Sequence, residues 1–244
     1  MSYYIGLSVL SNQKDRGHSA KSLQKRHTGE ESLRILSLFE DRNLVKDDIA
    51  AEEGGRPFLI TGNGKKKPDV DFNISHCGDI IALTYVKGKA LRTGCDIEKV
   101  RPRKNAPKIA DEYFSSLEND YLNSGGNFDL KGFYIIWTLK ESFLKLRGLS
   151  VFDMKAVPSF IRKNKLSVYE FCFEACVTPI FFRLYEALDA EGNLNILSAV
   201  IEGDYEGEPE IREFSSSDSL PLACKKIAEI KAAPSPAQTV SPKR

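Results

Sequence analysis

Apolar residues in the first half of this chain fall into short runs, while polar residues collect between them. Residues 3–10 are apolar and rich in strand formers, which predicts an opening β-strand. Over residues 30–43, Leu33, Leu36, Leu38 and Phe39 recur at helical spacing, so an amphipathic helix packed on a sheet is expected. Gly54-Gly55 breaks that pattern. Residues 57–60, 70–74, 80–87 and 93–98 then read as short strands punctuated by Gly, Asn and Pro.

The second half repeats this grammar. A polar, proline-containing connector at 101–107 leads to helices near 109–114 and 116–122, and Gly125-Gly126 marks a loop before a long helix over 130–146. Gly148 is well placed to stop that helix in a left-handed cap. Residues 167–176, 180–187 and 194–201 read as strands separated by turns. The expected fold is α+β, with two similar lobes in a pseudo-dimer, each a small, mostly antiparallel sheet packed with a long helix. The lobes are expected at 1–104 and 105–230. The Pro/Ala/Ser-rich tail, 231–244, is expected to be disordered. No residue-level internal repeat is present, so the division rests on element order.

Composition narrows the function classes. With 244 residues and 41% hydrophobic content, the chain can bury a core. Its 35 basic and 34 acidic residues leave a net charge of +1, so no bulk field favours nucleic acid or an anionic membrane. Recognition of phosphate must therefore be local. No stretch approaches the roughly 18 apolar residues of a membrane span, and the N-terminus has no leader pattern, which predicts a cytoplasmic protein. Five scattered cysteines, none in a CxxC pair, support neither a disulfide framework nor a zinc site.

Candidate chemistry starts at Asp96 and Glu98, which lie two apart on a predicted strand and share a face. Such a pair is costly without a cation between them, but DxE triplets are common, and taken alone the pair reads better as a solvated strand end near Lys99 and Arg101. A third acid, Glu141, lies mid-helix on a stripe with Trp137 and Lys145, which an ordinary helical salt bridge over an aromatic residue would also explain. Three acids without a His/Cys cluster suit Mg²⁺ completed by water and phosphate oxygens, and Lys140 and Lys145 could neutralise charge on a transferring phosphoryl group. Ser75-His76 ends the apolar run VDFNI. Adjacent residues on an extended chain face opposite ways and no GxSxG elbow is present, so phosphate binding or turn capping is favoured over a serine nucleophile.

Five motifs occur in register: GRP at 55–57, FNISHC at 72–77, GCDIE at 94–98, FSSLENDYL at 114–122 with Phe114 and Glu118, and WTLKESFLKL at 137–146. In order and approximate spacing they resemble the 4′-phosphopantetheinyl transferases, in particular the larger, monomeric type that activates surfactin and siderophore synthetases. The resemblance covers most of residues 3–201. It implies transfer of the phosphopantetheine arm of coenzyme A to a serine of an acyl, peptidyl or aryl carrier protein, releasing adenosine 3′,5′-bisphosphate. By match to GxDxE and WxxKExxxK, it implies that Asp96, Glu98 and Glu141 hold Mg²⁺ and that Glu141, directly or through water, deprotonates the carrier serine. Lys145 would bind phosphate and Lys140 would contact substrate from the neighbouring face. Arg56 matches a basic residue for the nucleotide part of coenzyme A, and Ser75 and His76 match positions that bind its phosphates.

Some positions depart from the family's pattern. Cys77 stands where Ser or Thr is usual. The cluster of Lys21, Lys25, Arg26 and His27 only roughly resembles the family's basic stretch for the 3′-phosphate; Lys25 is carried forward as a candidate coenzyme A contact. Lys65 to Lys67 form an expected exposed loop that could meet an acidic carrier surface. Two other classes remain open. One is a coenzyme A binding module without catalysis, and the other is a metal-dependent hydrolase of nucleotides or phosphodiesters.

Overall fold

A computed structural model describes residues 1–10, 20–162, 169–172, 178–189, 191–205, 207–215 and 223–232. The chain opens with β1 (Ser2–Val9) and α1 (Ala20–Glu40), passes through the short β2 (Ile49–Ala51) and β3 (Pro57–Leu59), and then lays down β4 (Val70–Cys77), β5 (Ile80–Lys87) and β6 (Arg92–Lys99). Helices α2 (Ala106–Tyr113), α3 (Ser116–Asn123) and α4 (Leu130–Arg147) follow. The later strands are β7 (Ser159–Arg162), β8 (Tyr169–Cys172), β9 (Ile180–Leu188), β10 (Leu194–Glu202), β11 (Glu210–Ser215) and β12 (Ala223–Ala232).

One four-stranded sheet has the order β11-β1-β5-β4 and the other β12-β9-β10-β6. Every ladder in these two sheets is antiparallel except β1 with β11. The class is α+β, as the sequence predicts. The strand pairing crosses residue 104, however: β6 lies before it but pairs with β10, and β11 lies far after it but pairs with β1. Each sheet thus completes itself with a strand from the other half of the chain.

The sheets meet where two edge strands face each other. Alternate side chains of β4 accept hydrogen bonds from alternate backbone N–H groups of β6: Asp71 from Thr93 at 2.8 Å, Asn73 from Cys95 at 3.2 Å, Ser75 from Ile97 at 3.3 Å, and the Cys77 sulfur from Lys99 at 3.3 Å. The polar positions of DFNISHC are therefore a seam. They satisfy the free edge of β6, which would otherwise leave unpaired donors in the interior.

Three apolar clusters lie around the sheets. One packs Ile35, Leu36 and Phe39 of α1 on Phe72, Leu83 and Tyr85. A second fills the space between the sheets, with Tyr3, Ile5, Val86, Ile97, Leu197 and Ala199. The largest surrounds α4, whose Phe133, Ile136, Leu139 and Leu144 are buried with Phe182, Leu184 and Val200. The helix starts at Asp129, which accepts from the Gly132 N–H at 2.8 Å, and ends at Gly148, whose φ of 69° is the expected left-handed cap.

Several elements differ from expectation. The basic stretch before residue 30 is the first half of α1. It carries no apolar stripe, so periodicity alone could not find it. Strands β7, β11 and β12 also escaped, because their short or lysine-rich sequences alternate weakly. Residues 163–168, 173–177 and 233–244 lie outside the described residues, and with them most of the expected strand at 167–176 and nearly all of the expected tail.

Candidate active site

The seam and α4 together build a cleft. Gly94 lets the helix approach: a Cβ there would stand 2.3 Å from the Ser142 carbonyl oxygen and 2.8 Å from the Leu146 nitrogen, so any side chain would push α4 off β6. Alongside, the Ser142 and Ser198 hydroxyls are 2.9 Å apart. This contact sets the face of α4 bearing Trp137, Glu141 and Lys145 against Asp96 and Glu98. A cleft of about 370 Å³ results, lined by Ile74, Ser75, His76, Asp96, Ile97, Glu98, Trp137, Glu141 and Lys145.

Lys145 stands at the centre of this cleft. Its Nζ donates to Asp96 Oδ1 at 2.6 Å and to Ser75 Oγ at 2.9 Å, while Ser75 donates to the same Asp96 oxygen at 2.8 Å. With the Ile97 N–H also donating to it, Ser75 uses its one donor and both acceptor positions, so it is a bridge and no nucleophile. His76, on the opposite face of the strand, is exposed at the cleft mouth.

Electrostatics single out Glu141. Burial, then the charge of Asp96, pushes its pKa up to about 7; Lys145 opposes this shift and Glu98 adds to it. Glu98 is raised too, by burial and then by Asp96, with Arg103, Lys145 and Arg101 opposing. Burial works against the Lys145 ammonium, yet Asp96 and its other anionic neighbours hold its pKa above the usual lysine value. The cleft thus crowds three carboxylates around one ammonium.

A small divalent cation is a natural guest of such a set. Asp96 Oδ2 is buried with no hydrogen-bond partner among the described residues, and the donors are all hard carboxylate oxygens, which fit Mg²⁺ better than a softer metal. As the side chains stand, no three acidic, His or Cys groups among the described residues are gathered closely enough to hold a metal ion. Lys145 engages Asp96 instead. The expected trio therefore shares one cleft without forming a closed ligand set.

Two expected contacts fall elsewhere. Lys140 is 1% exposed and pairs at 3.1 Å with the fully buried Glu118, and it also donates to the Val157 carbonyl at 3.1 Å. One residue from Glu141 on a helix is about 100° away, which turns Lys140 into the α3 side of the core and away from the cleft. Arg56 is likewise buried against Asp71 and two backbone carbonyls, and does not line the cleft. Lys25 lies on α1, but its side chain is outside the described residues. Of the lysine triplet at 65–67, Lys66 pairs with Glu52 and Lys67 with Glu40. Cys77, Cys95 and Cys224 are free thiols, while Cys176 and the side chain of Cys172 lie outside the described residues.

Sequence reasoning missed Asp71 and Asn73, whose signal was the polar alternation within DFNISHC. It also missed Arg103, whose guanidinium lies 5.9 Å from the centroid of the Trp137 ring at the cleft wall.

The sequence model of the 4′-phosphopantetheinyl transferase superfamily matches residues 92–188, from β6 to the end of β9. A 4′-phosphopantetheinyl transferase of Bacillus subtilis is 36% identical over 161 residues, covering 59% of this chain and 68% of that protein. The chain belongs to the 4′-phosphopantetheinyl transferase superfamily. The transferase AcpT of Salmonella typhi is 39% identical over 108 residues, 44% of this chain and 53% of its own length. The transferase Sfp of Bacillus subtilis strain 168 is 34% identical over 108 residues, 43% and 44% of the two chains. The chain thus spans about half the length of several relatives it matches. The superfamily match takes in Asp96, Glu98, Glu141 and Lys145, whereas Ser75, His76 and Arg56 precede it.

Proposed function

We propose that this protein transfers the 4′-phosphopantetheine arm of coenzyme A to a serine of an acyl or peptidyl carrier protein, releasing adenosine 3′,5′-bisphosphate. One observation carries this reading: Asp96, Glu98, Glu141, Lys145, Ser75 and His76 line a single cleft, at positions matching the family's motifs.

In the reaction, the carrier serine hydroxyl attacks the phosphorus that bears the pantetheine arm. The bond from that phosphorus to the bridging pyrophosphate oxygen breaks, a serine phosphodiester forms, and the nucleotide leaves with the bridging oxygen. The nucleophile belongs to the partner, so the enzyme's task is to position groups and offset charge. Lys145 and His76 face the pyrophosphate, and Ser75 keeps Lys145 oriented. Glu141 accepts the serine proton, directly or through water, and burial with two neighbouring carboxylates suits it to hold a proton near neutral pH. Asp96, Glu98 and Glu141 would hold Mg²⁺, which supplies positive charge against the pyrophosphate. No helix among the described residues is long and apolar enough to cross a membrane. The reading carries with it a monomeric, cytoplasmic enzyme acting on a protein partner and not on nucleic acid.

Intact-protein mass spectrometry of an apo carrier protein incubated with this protein, coenzyme A and Mg²⁺ tests the proposal. A mass gain of one phosphopantetheine arm, abolished by EDTA, is expected. Free phosphopantetheine without any carrier would instead indicate a hydrolase, and coenzyme A binding without transfer would indicate a binding module.

A further inference from the structure

We propose that Arg56 is a positioning residue: its guanidinium fastens the last turn of α4 to the β4–β6 seam and thereby holds Lys145 over Asp96, without itself touching substrate. The substrate part of this inference rests on the transferase reading above.

The guanidinium side chain is 3% exposed, and its three contacts reach three elements. Nη1 donates to the Lys145 carbonyl, and Nη2 donates to Asp71 Oδ2 at 2.5 Å and to the Thr93 carbonyl at 2.7 Å. Asp71 Oδ2 also accepts the Thr93 N–H, so Arg56 occupies the first rung of the seam. Lys145 lies in the last turn of α4, where its carbonyl also takes a long hydrogen bond from the Gly148 N–H at 3.3 Å and a cation is favoured by the helix dipole. The loop that delivers Arg56 is itself packed on that end: a Cβ on Gly54 would stand 2.9 Å from the Gly148 carbonyl oxygen.

The residue whose carbonyl Arg56 holds is the residue whose ammonium enters the cleft. Two cations therefore tie α4 to the seam at different rungs, Arg56 at Asp71 and Thr93, and Lys145 at Ser75 and Asp96. A planar fork presents donors on separate nitrogens and so reaches partners on three elements at once, a spread that a single lysine nitrogen does not reproduce. Release of the Lys145 backbone would leave its Nζ free to leave Asp96, and displacements on the order of 1 Å at a reacting centre cost up to about 10²-fold in rate.

Arg56→Lys and Arg56→Ala test the clasp, with the lysine variant keeping a positive charge beside Asp71 in case the alanine variant fails to fold. In Arg56→Lys, backbone amide exchange over residues 144–149 is expected to speed at least about tenfold relative to the middle of α4. The Kd for adenosine 3′,5′-bisphosphate, measured by calorimetry, should stay within about twofold, while kcat for carrier modification falls at least about tenfold. Lys145→Ala should cost less in the Arg56→Lys background than in the wild type, because both changes remove the same placement. Unchanged exchange, strictly additive losses, or a nucleotide Kd weakened about tenfold at constant kcat would each overturn the proposal. If wild-type protein modifies no carrier, the transferase reading falls, and the exchange and nucleotide-binding arms still decide the clasp.

Discussion

At the level of single residues, the cleft depends on charges that the fold has crowded together. Glu141 has a folded-state pKa of about 7, above its ordinary carboxylate value. A carboxyl raised in this way binds its proton more tightly when folded, so it costs nothing below its unfolded pKa and weakens the fold as pH rises through about 7. In metal-free protein, Glu141→Gln should therefore raise thermal stability at pH 8 by an amount on the order of 1–3 kcal/mol, with little effect at pH 4. Melting curves at both pH values check this, and an equal effect at both would remove the crowding argument. Lys145→Ala should lower kcat by about 10²-fold, as expected when a charge facing the reacting phosphate is lost. Carrier modification followed by mass spectrometry reads that loss. The acid and lysine positions were legible in GCDIE and WTLKESFLKL, but the side each residue faces was not. Lys140 and Lys145 look alike in the sequence. Helical geometry sends one to Glu118 in the core and the other to Asp96.

At the level of elements, the approach of α4 to β6 is the contact on which the cleft rests. Gly94→Ala places a methyl group 2.3 Å from the Ser142 carbonyl, a backbone atom that cannot swing aside. A loss of about 1–3 kcal/mol or more is expected from such overpacking, together with weakened activity, and denaturant unfolding measures it. The buried Lys140–Glu118 pair fixes the other side of α4. Glu118 also closes the start of α3, exchanging hydrogen bonds with Ser115 at 2.8 and 3.2 Å, and accepts the Phe160 N–H at 2.8 Å. Removing one partner, as in Lys140→Met, should cost about 3–5 kcal/mol by leaving a buried carboxylate unpaired. Coenzyme A affinity in folded Lys140→Met protein should be close to wild type, whereas a large loss would return Lys140 to the binding surface. Strands β1, β4, β5, β6, β9 and β10 and helix α4 were readable from periodicity, and Gly148 from its position. The first half of α1 and strands β11 and β12 were not, because they carry charged residues where an apolar pattern would have marked them.

At the level of the whole molecule, the strand exchange ties the two halves of the chain into one folding unit. Fragments 1–104 and 105–230 should each be unstructured alone: the first lacks β11 and the β10 partner of β6, and the second lacks β6, on which α4 packs. Circular dichroism of the separate and mixed fragments checks this, and native-like spectra from either fragment alone would contradict it. The sequence by itself determined the class of structure, the order of most elements and most of the charged groups that line the cleft, because local periodicity and motif spacing are carried by neighbouring residues. Only the tertiary structure decided which strands pair across the chain, that DFNISHC is a seam between sheets, and that Arg56 and Lys140 turn inward while Lys145 turns toward the cleft. Those outcomes depend on contacts between residues far apart in sequence. There, the need to satisfy every buried donor and charge selects one arrangement among many that local pattern permits.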